Sequence, residues 1–182
     1  MLTLHRLADL DGQLAGRHED QAANCLRASS LMQQLQQRKF TPVYFLMGSE
    51  PYYIDKISNY IEEHVLSEGE RSFNQTIIYG RDTDCKQVVS MCKRYPMMSD
   101  YQVVLVKEAQ NLKDTDNLIA YLENPLSSTI LVLNWKSDKV DKRTKFYKVL
   151  KDLQVFESLP VPDYKLQAWI MQYLNGRKLN ID

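Results

Sequence analysis

A chain of 182 residues, 44% apolar and 25% charged, with 23 basic against 23 acidic side chains, has the make-up of a globular protein of one full domain and part of a second. Zero net charge argues against a general polyanion binder, no apolar run approaches the roughly 18 residues of a membrane span, and the amino terminus lacks the order of a secretory signal, so a cytoplasmic address is the default. Cys25, Cys85, Cys92, His5, His18 and His64 show no zinc-ligand spacing, and six glycines are few for an enzyme built on several phosphate loops.

Residues 1–30 carry a partial leucine stripe (Leu2, Leu4, Leu7, Leu10, Leu14) interrupted by Gly12 and Gly16, and read as a peripheral extension. A short helix over about Leu31 to Arg38 follows. Val43 to Met47 is an apolar run of strand length, closed by Gly48-Ser49-Glu50-Pro51, where Ser49 is placed to cap a helix and Pro51 suits its first turn. That helix runs from about Tyr52 to Leu66, with Ile54, Ile57, Ile61 and Val65 on its buried face.

Phe73 to Tyr79 reads as a second strand, and Asp82, Thr83 and Asp84 offer caps for a helix with Val88, Val89, Met91, Cys92 and Tyr95 as apolar positions, stopped by Pro96. Gln102 to Val106 is a third strand, apolar enough for burial on both faces. A helix from about Asp114 to Glu123, a strand Thr129 to Trp135, a helix Asp141 to Leu153 and a short strand at Val155-Phe156 complete the pattern. Pro160 and Pro162 mark a boundary, and Tyr164 to Leu174 reads as one more helix.

Strands alternating with helices predict right-handed βαβ units, hence an α/β fold with a five-stranded parallel sheet and flanking helices. The expected division is an extension and short helix over 1–39, the α/β domain over 40–158, and the start of a second, helical domain over 159–182, as in the amino-terminal fragment of a longer protein.

The first strand-to-helix junction is where a phosphate-binding loop would sit, but its chemistry is missing. Counting from Gly48, the second glycine, the lysine and the hydroxyl of such a loop fall on Tyr53, Ile54 and Asp55. At the end of the third strand, Lys107 stands where a metal-binding aspartate belongs and would repel Mg²⁺. Asn134 ends the fourth strand and reads as an ordinary polar residue. No cofactor and no metal is expected. Cys85 and Cys92, seven apart and about 10 Å along a helix, read as core residues and not as a redox pair. His64 has no evident acid or serine partner.

Two features stand above background. Tyr95-Pro96-Met97-Met98-Ser99-Asp100 places two flexible apolar side chains after a helix end, where they either fill a partner's groove or fold back on the core. Lys136 to Asp152 holds Lys136, Lys139, Lys142, Arg143, Lys145, Lys148 and Lys151 against Asp138, Asp141 and Asp152, a local net of +4. It is either a solvated helix face or a contact for phosphate or for an acidic protein.

The segments TPVYFLMGSEPYYIDK, SFNQTIIYG, RYPMMSDYQVVLVKEAQNL, NPLSSTILVLNW and DKRTKFYKVLK closing in VFE, in this order and spacing, resemble the delta subunit family of the bacterial DNA polymerase III clamp loader, in wording closest to Bacteroides-like members. The resemblance covers about Phe40 to Asp182. It implies an AAA+ fold of the P-loop NTPase type without a working nucleotide site, and a non-catalytic subunit that binds and opens the sliding clamp (beta) for loading onto primed DNA. The implied partners are the clamp and the other loader subunits (gamma/tau and delta prime), with no membrane involved, in the nucleoid-associated replisome of the cytoplasm. The family's clamp-binding pair falls on Met97 and Met98, flanked by Tyr95 and Pro96, where leucine or phenylalanine is usual. Gln102 stands where a basic residue is common. Lys139, Lys142, Arg143, Lys145 and Lys148 are candidate DNA or subunit contacts. The competing readings are a divergent NTPase with a degenerate phosphate loop and a basic nucleic-acid-binding module.

Overall fold

The computed structural model describes residues 25–137 and 139–160. Five parallel strands, β1 (Val43–Gly48), β2 (Gln75–Tyr79), β3 (Gln102–Lys107), β4 (Thr129–Trp135) and β5 (Gln154–Ser158), form one sheet in the order β2-β3-β4-β1-β5. The three central strands are the apolar runs, and β1 is buried along its whole length. The edge strands β2 and β5 are only partly covered.

Because successive side chains of a strand point to opposite faces, the sheet carries a core on each side. Val43, Phe45 and Met47 join Val104, Val106, Leu131 and Leu133 under α4 (Cys85–Cys92), α5 (Asp116–Glu123) and α6 (Lys145–Lys151). Tyr44 and Leu46 join Val103, Leu105, Ile130 and Val132 under α2 (Pro51–His64) and the helix over residues 25–36, here α1. Ile54, Ile57 and Ile61 on α2 are wholly buried, and each such side chain contributes about 1.5–3 kcal/mol of apolar burial.

Several sequence expectations need correction. The first helix spans residues 25–36 and not 31–38, and Ala28, Leu31 and Leu35 are buried, so residues 25–30 are part of the packed domain. The cap of α2 is Glu50, whose carboxylate accepts from the Tyr52 N–H at 3.1 Å, and not Ser49. Phe73 and Asn74 are not strand: they close a further helix, α3 (Glu68–Asn74). Ser67 N–H and Oγ both donate to Glu70, at 2.8 and 2.6 Å, fixing its first turn.

Helix α4 ends at Cys92, four residues before Pro96, and Tyr95 lies outside it. Helix α6 is capped by Thr144 and is shorter than the expected 141–153. The helix expected over 114–123 is α5, which begins at Asp116, and a 3₁₀ turn at Ala109–Asn111 that the sequence reading did not include precedes it. The leucine stripe of residues 1–24 and the helix expected at Tyr164 to Leu174 lie outside the described residues.

Candidate functional site

The carboxyl ends of the strands are where an α/β sheet ordinarily binds nucleotide, and here the polar residues at that place pair with one another. The Glu50 carboxylate occupies the amino terminus of α2, the position a phosphate would take. Ile54 is buried in the core, and the Tyr53 ring packs edge-on against Phe156 at 6.3 Å and Tyr52 at 5.0 Å. Asp55 pairs with Lys136 at 2.7 Å, and Lys107 pairs with Glu62 at 3.2 Å, so two ion pairs tie α2 to the ends of β4 and β3. Asn134 is buried with its Oδ1 unpartnered. Among the described residues no group of three or more His, Cys, Asp or Glu side chains could hold a metal ion.

The other reactive side chains are structural. Burial pushes the Cys92 thiol up to about 12, and burial, aided by Asp84 and Asp114, pushes Cys85 up to about 11, which leaves neither a nucleophile at neutral pH. The His64 ring stacks on Tyr60 at 4.2 Å, with Nδ1 3.1 Å from the Tyr60 carbonyl oxygen. Four of the seven basic residues between 136 and 151 are in ion pairs: Lys136, Lys142 with Glu157, Arg143 with Asp141, and Lys145 with Glu123. Lys139 and Lys148 are placed on the same stretch, which is therefore partly neutralised by the protein's own carboxylates.

The segment between α4 and β3 behaves differently. Its apolar side chains face outward: Tyr95 is 79% exposed, Met97 62%, and Met98 fully exposed, while Pro96 lies between them. Met98 has φ +53°, a left-handed conformation that costs a non-glycine residue about 1–2 kcal/mol. Such strain persists where the surroundings over-determine the backbone, and they do so at two places.

At the root, the Gln102 side-chain amide donates to Cys92 O at 3.2 Å, to Arg94 O, and to Thr129 Oγ1 at 2.7 Å, while Thr129 Oγ1 donates to Cys92 O at 2.8 Å. These bonds satisfy the carbonyl of Cys92, the last residue of α4, and that of Arg94 just beyond it. At the tip, Asn74 holds Met97 from both sides: Met97 N–H donates to Oδ1 at 2.6 Å, and Nδ2 donates to Met97 O at 2.9 Å.

The structure thus brings Tyr95, Pro96, Met97 and Met98 together as an exposed, fixed projection, and leaves the lysine stretch as a separate surface. Sequence reasoning missed Asn74 and the exposed Phe73 beside it, because it ran a strand through α3. The signal was present: Ser67-Glu68-Gly69-Glu70 is a Ser-x-x-Glu capping box.

Comparison with known proteins bears on the family and the fold. The sequence model of the family described as DNA polymerase III, delta subunit, matches residues 44–158. The DNA polymerase III subunit delta of Bacillus subtilis (strain 168) is 28% identical over 120 residues, covering 60% of this chain and 35% of that protein. The chain thus spans about a third of the length of this curated relative. The solved structure of the Bacillus subtilis DNA clamp loader delta protein matches with a TM-score of 0.71 at 20% identity, over 82% of this chain and 48% of that one. A gamma subunit-related protein of DNA polymerase III from Thermotoga maritima shares the fold at a TM-score of 0.52 and 14% identity, over 78% of this chain and 49% of its own.

Proposed function

Because the chain belongs to the DNA polymerase III delta subunit family, we propose that it is the clamp-binding part of a clamp-loader delta subunit, which grips the ring-shaped sliding clamp and holds it open for loading onto primed DNA. The observation that carries this reading is the outward projection of Met97 and Met98 from a loop held at root and tip. An apolar pair of this kind inserts into a hydrophobic pocket as a hot spot, with Ser99 and Asp100 at the polar rim.

Two methionines offer about 3–6 kcal/mol of apolar transfer, reduced by up to about 2 kcal/mol of rotamer entropy for each. A loop already fixed in the free protein avoids the further cost of ordering its backbone. Grip on the clamp then does mechanical work only if another part of the loader moves this domain. The engagement of Glu50 with the start of α2, and of Lys107 and Lys136 with its carboxylates, supports a non-catalytic subunit, with ATP hydrolysis supplied by gamma/tau subunits of the same assembly and delta prime as a further partner. The site of action is then the replisome in the cytoplasm.

The test is surface plasmon resonance against the sliding clamp of the same organism, with wild type beside a Met97→Ala, Met98→Ala double variant. Saturable binding by wild type that is lost in the variant supports the proposal. Equal binding by both places the contact elsewhere and removes the carrying observation.

A further inference from the structure

Helix α3 lies next to the projecting loop and touches it through two side chains one helical turn apart. Asn74 is 4% exposed, and its carboxamide reaches out of α3: both its polar atoms go to the Met97 backbone, across 23 residues of sequence. Four residues earlier, Glu70 accepts from Ser67 and from the Ser99 hydroxyl. Residues at i and i+4 share a helix face, so one face of α3 grips the loop on either side of Met98.

A buried amide that satisfies a backbone N–H and C=O of one distant residue fixes that residue's position more tightly than packing alone. The residue so fixed precedes Met98, whose left-handed φ needs such support. We propose that Asn74 is a positioning residue for partner binding: its two hydrogen bonds to Met97 keep the Met97-Met98 projection in the conformation that the sliding clamp receives. This rests on the clamp-binding reading above. Asn74 touches no partner in this account; it acts by keeping the competent loop conformer populated, since apparent affinity falls in proportion to that fraction.

The experiment combines amide hydrogen exchange with clamp binding by surface plasmon resonance, for wild type, Asn74→Ala and Asn74→Asp. Asn74→Ala is expected to lose protection at the Met97 amide, to keep protection in β1, β3 and β4, and to bind the clamp about tenfold more weakly. Asn74→Asp retains an acceptor for the Met97 N–H and is expected to restore protection at that amide and part of the affinity. Clamp affinity of Asn74→Ala within twofold of wild type overturns the inference while leaving the clamp-binding reading intact. Loss of protection throughout the sheet in both variants also overturns it, because Asn74 would then be a general structural residue. Wild type that fails to bind the clamp overturns the clamp-binding reading, and this inference with it.

Discussion

Gly48 and Ser158 meet backbone to backbone at the carboxyl ends of β1 and β5: a Cβ placed on Gly48 would lie 1.9 Å from the Ser158 carbonyl oxygen. Gly48 also has φ +136°, which side-chain-bearing residues rarely adopt. Its glycine is thus explained by the close passage of β5 and not by a phosphate. Gly48→Ala adds backbone strain to a clash that only separation of the two strands relieves, so it is expected to destabilise by about 3 kcal/mol or more. Urea unfolding followed by circular dichroism checks this, and a midpoint equal to wild type would contradict the contact.

The two methionines separate binding from folding. Met97→Asp changes an exposed side chain and is expected to leave unfolding stability within about 0.5 kcal/mol of wild type. Clamp affinity should fall at least about thirtyfold, the size of a hot-spot loss. A variant that unfolds would mean that Met97 is part of the core after all.

The pairing of Asp55 with Lys136 and of Glu62 with Lys107 leads to a prediction about ATP. With Mg²⁺ and ATP at 1 mM, the thermal midpoint is expected to stay at its ligand-free value. A site a hundred times tighter than that concentration would add about 2.7 kcal/mol and raise the midpoint visibly. The Asp55–Lys136 pair between α2 and the end of β4 is itself partly exposed, so a double-mutant cycle between the two is expected to give only about 0.2–1 kcal/mol.

The legible parts of this molecule are those where one segment suffices to decide its own state. Val43 to Met47 and Thr129 to Trp135 are long apolar runs bounded by punctuation, and they became central strands because only a two-sided core can cover them. That Tyr53, Ile54, Asp55 and Lys107 stand at the places of phosphate-loop and metal-binding residues was equally readable, since it needs only residue types at fixed spacing. Helix α3 was legible only at its start, in the Ser67–Glu70 capping box; its seven residues carry no apolar periodicity and end in Phe73-Asn74 beside a strand. Whether Met97 and Met98 face out or in was undecidable from patterning. What turns them outward is a set of long-range bonds from Asn74, Gln102 and Thr129, none of which leaves a local signature.

Glu70 supplies a pH-dependent prediction for the same loop. Its carboxyl is held at about 2, below the ordinary 4.5, chiefly by the Ser67 side chain, then by the Ser67 backbone N–H and the Ser99 hydroxyl. A carboxyl whose folded pKa lies below its unfolded one favours the folded state when ionised. Its contribution is therefore complete above about pH 5 and is lost as pH falls from 4.5 toward 2. Glu70→Gln removes the charge at every pH, so the stability gap between wild type and variant should be widest above pH 5 and close steadily on acidification. The comparison is a series of urea midpoints between pH 6 and pH 2.5, with amide exchange of residues 97–101 followed in parallel. Because Glu70 reaches Ser99, protection in the loop should drop over the same interval in wild type, while in Glu70→Gln it should be low and flat. Midpoint curves that run parallel across the whole range would show that the bonds from Ser67 and Ser99 do not hold the carboxylate in solution, and that α3 steadies the loop through Asn74 alone.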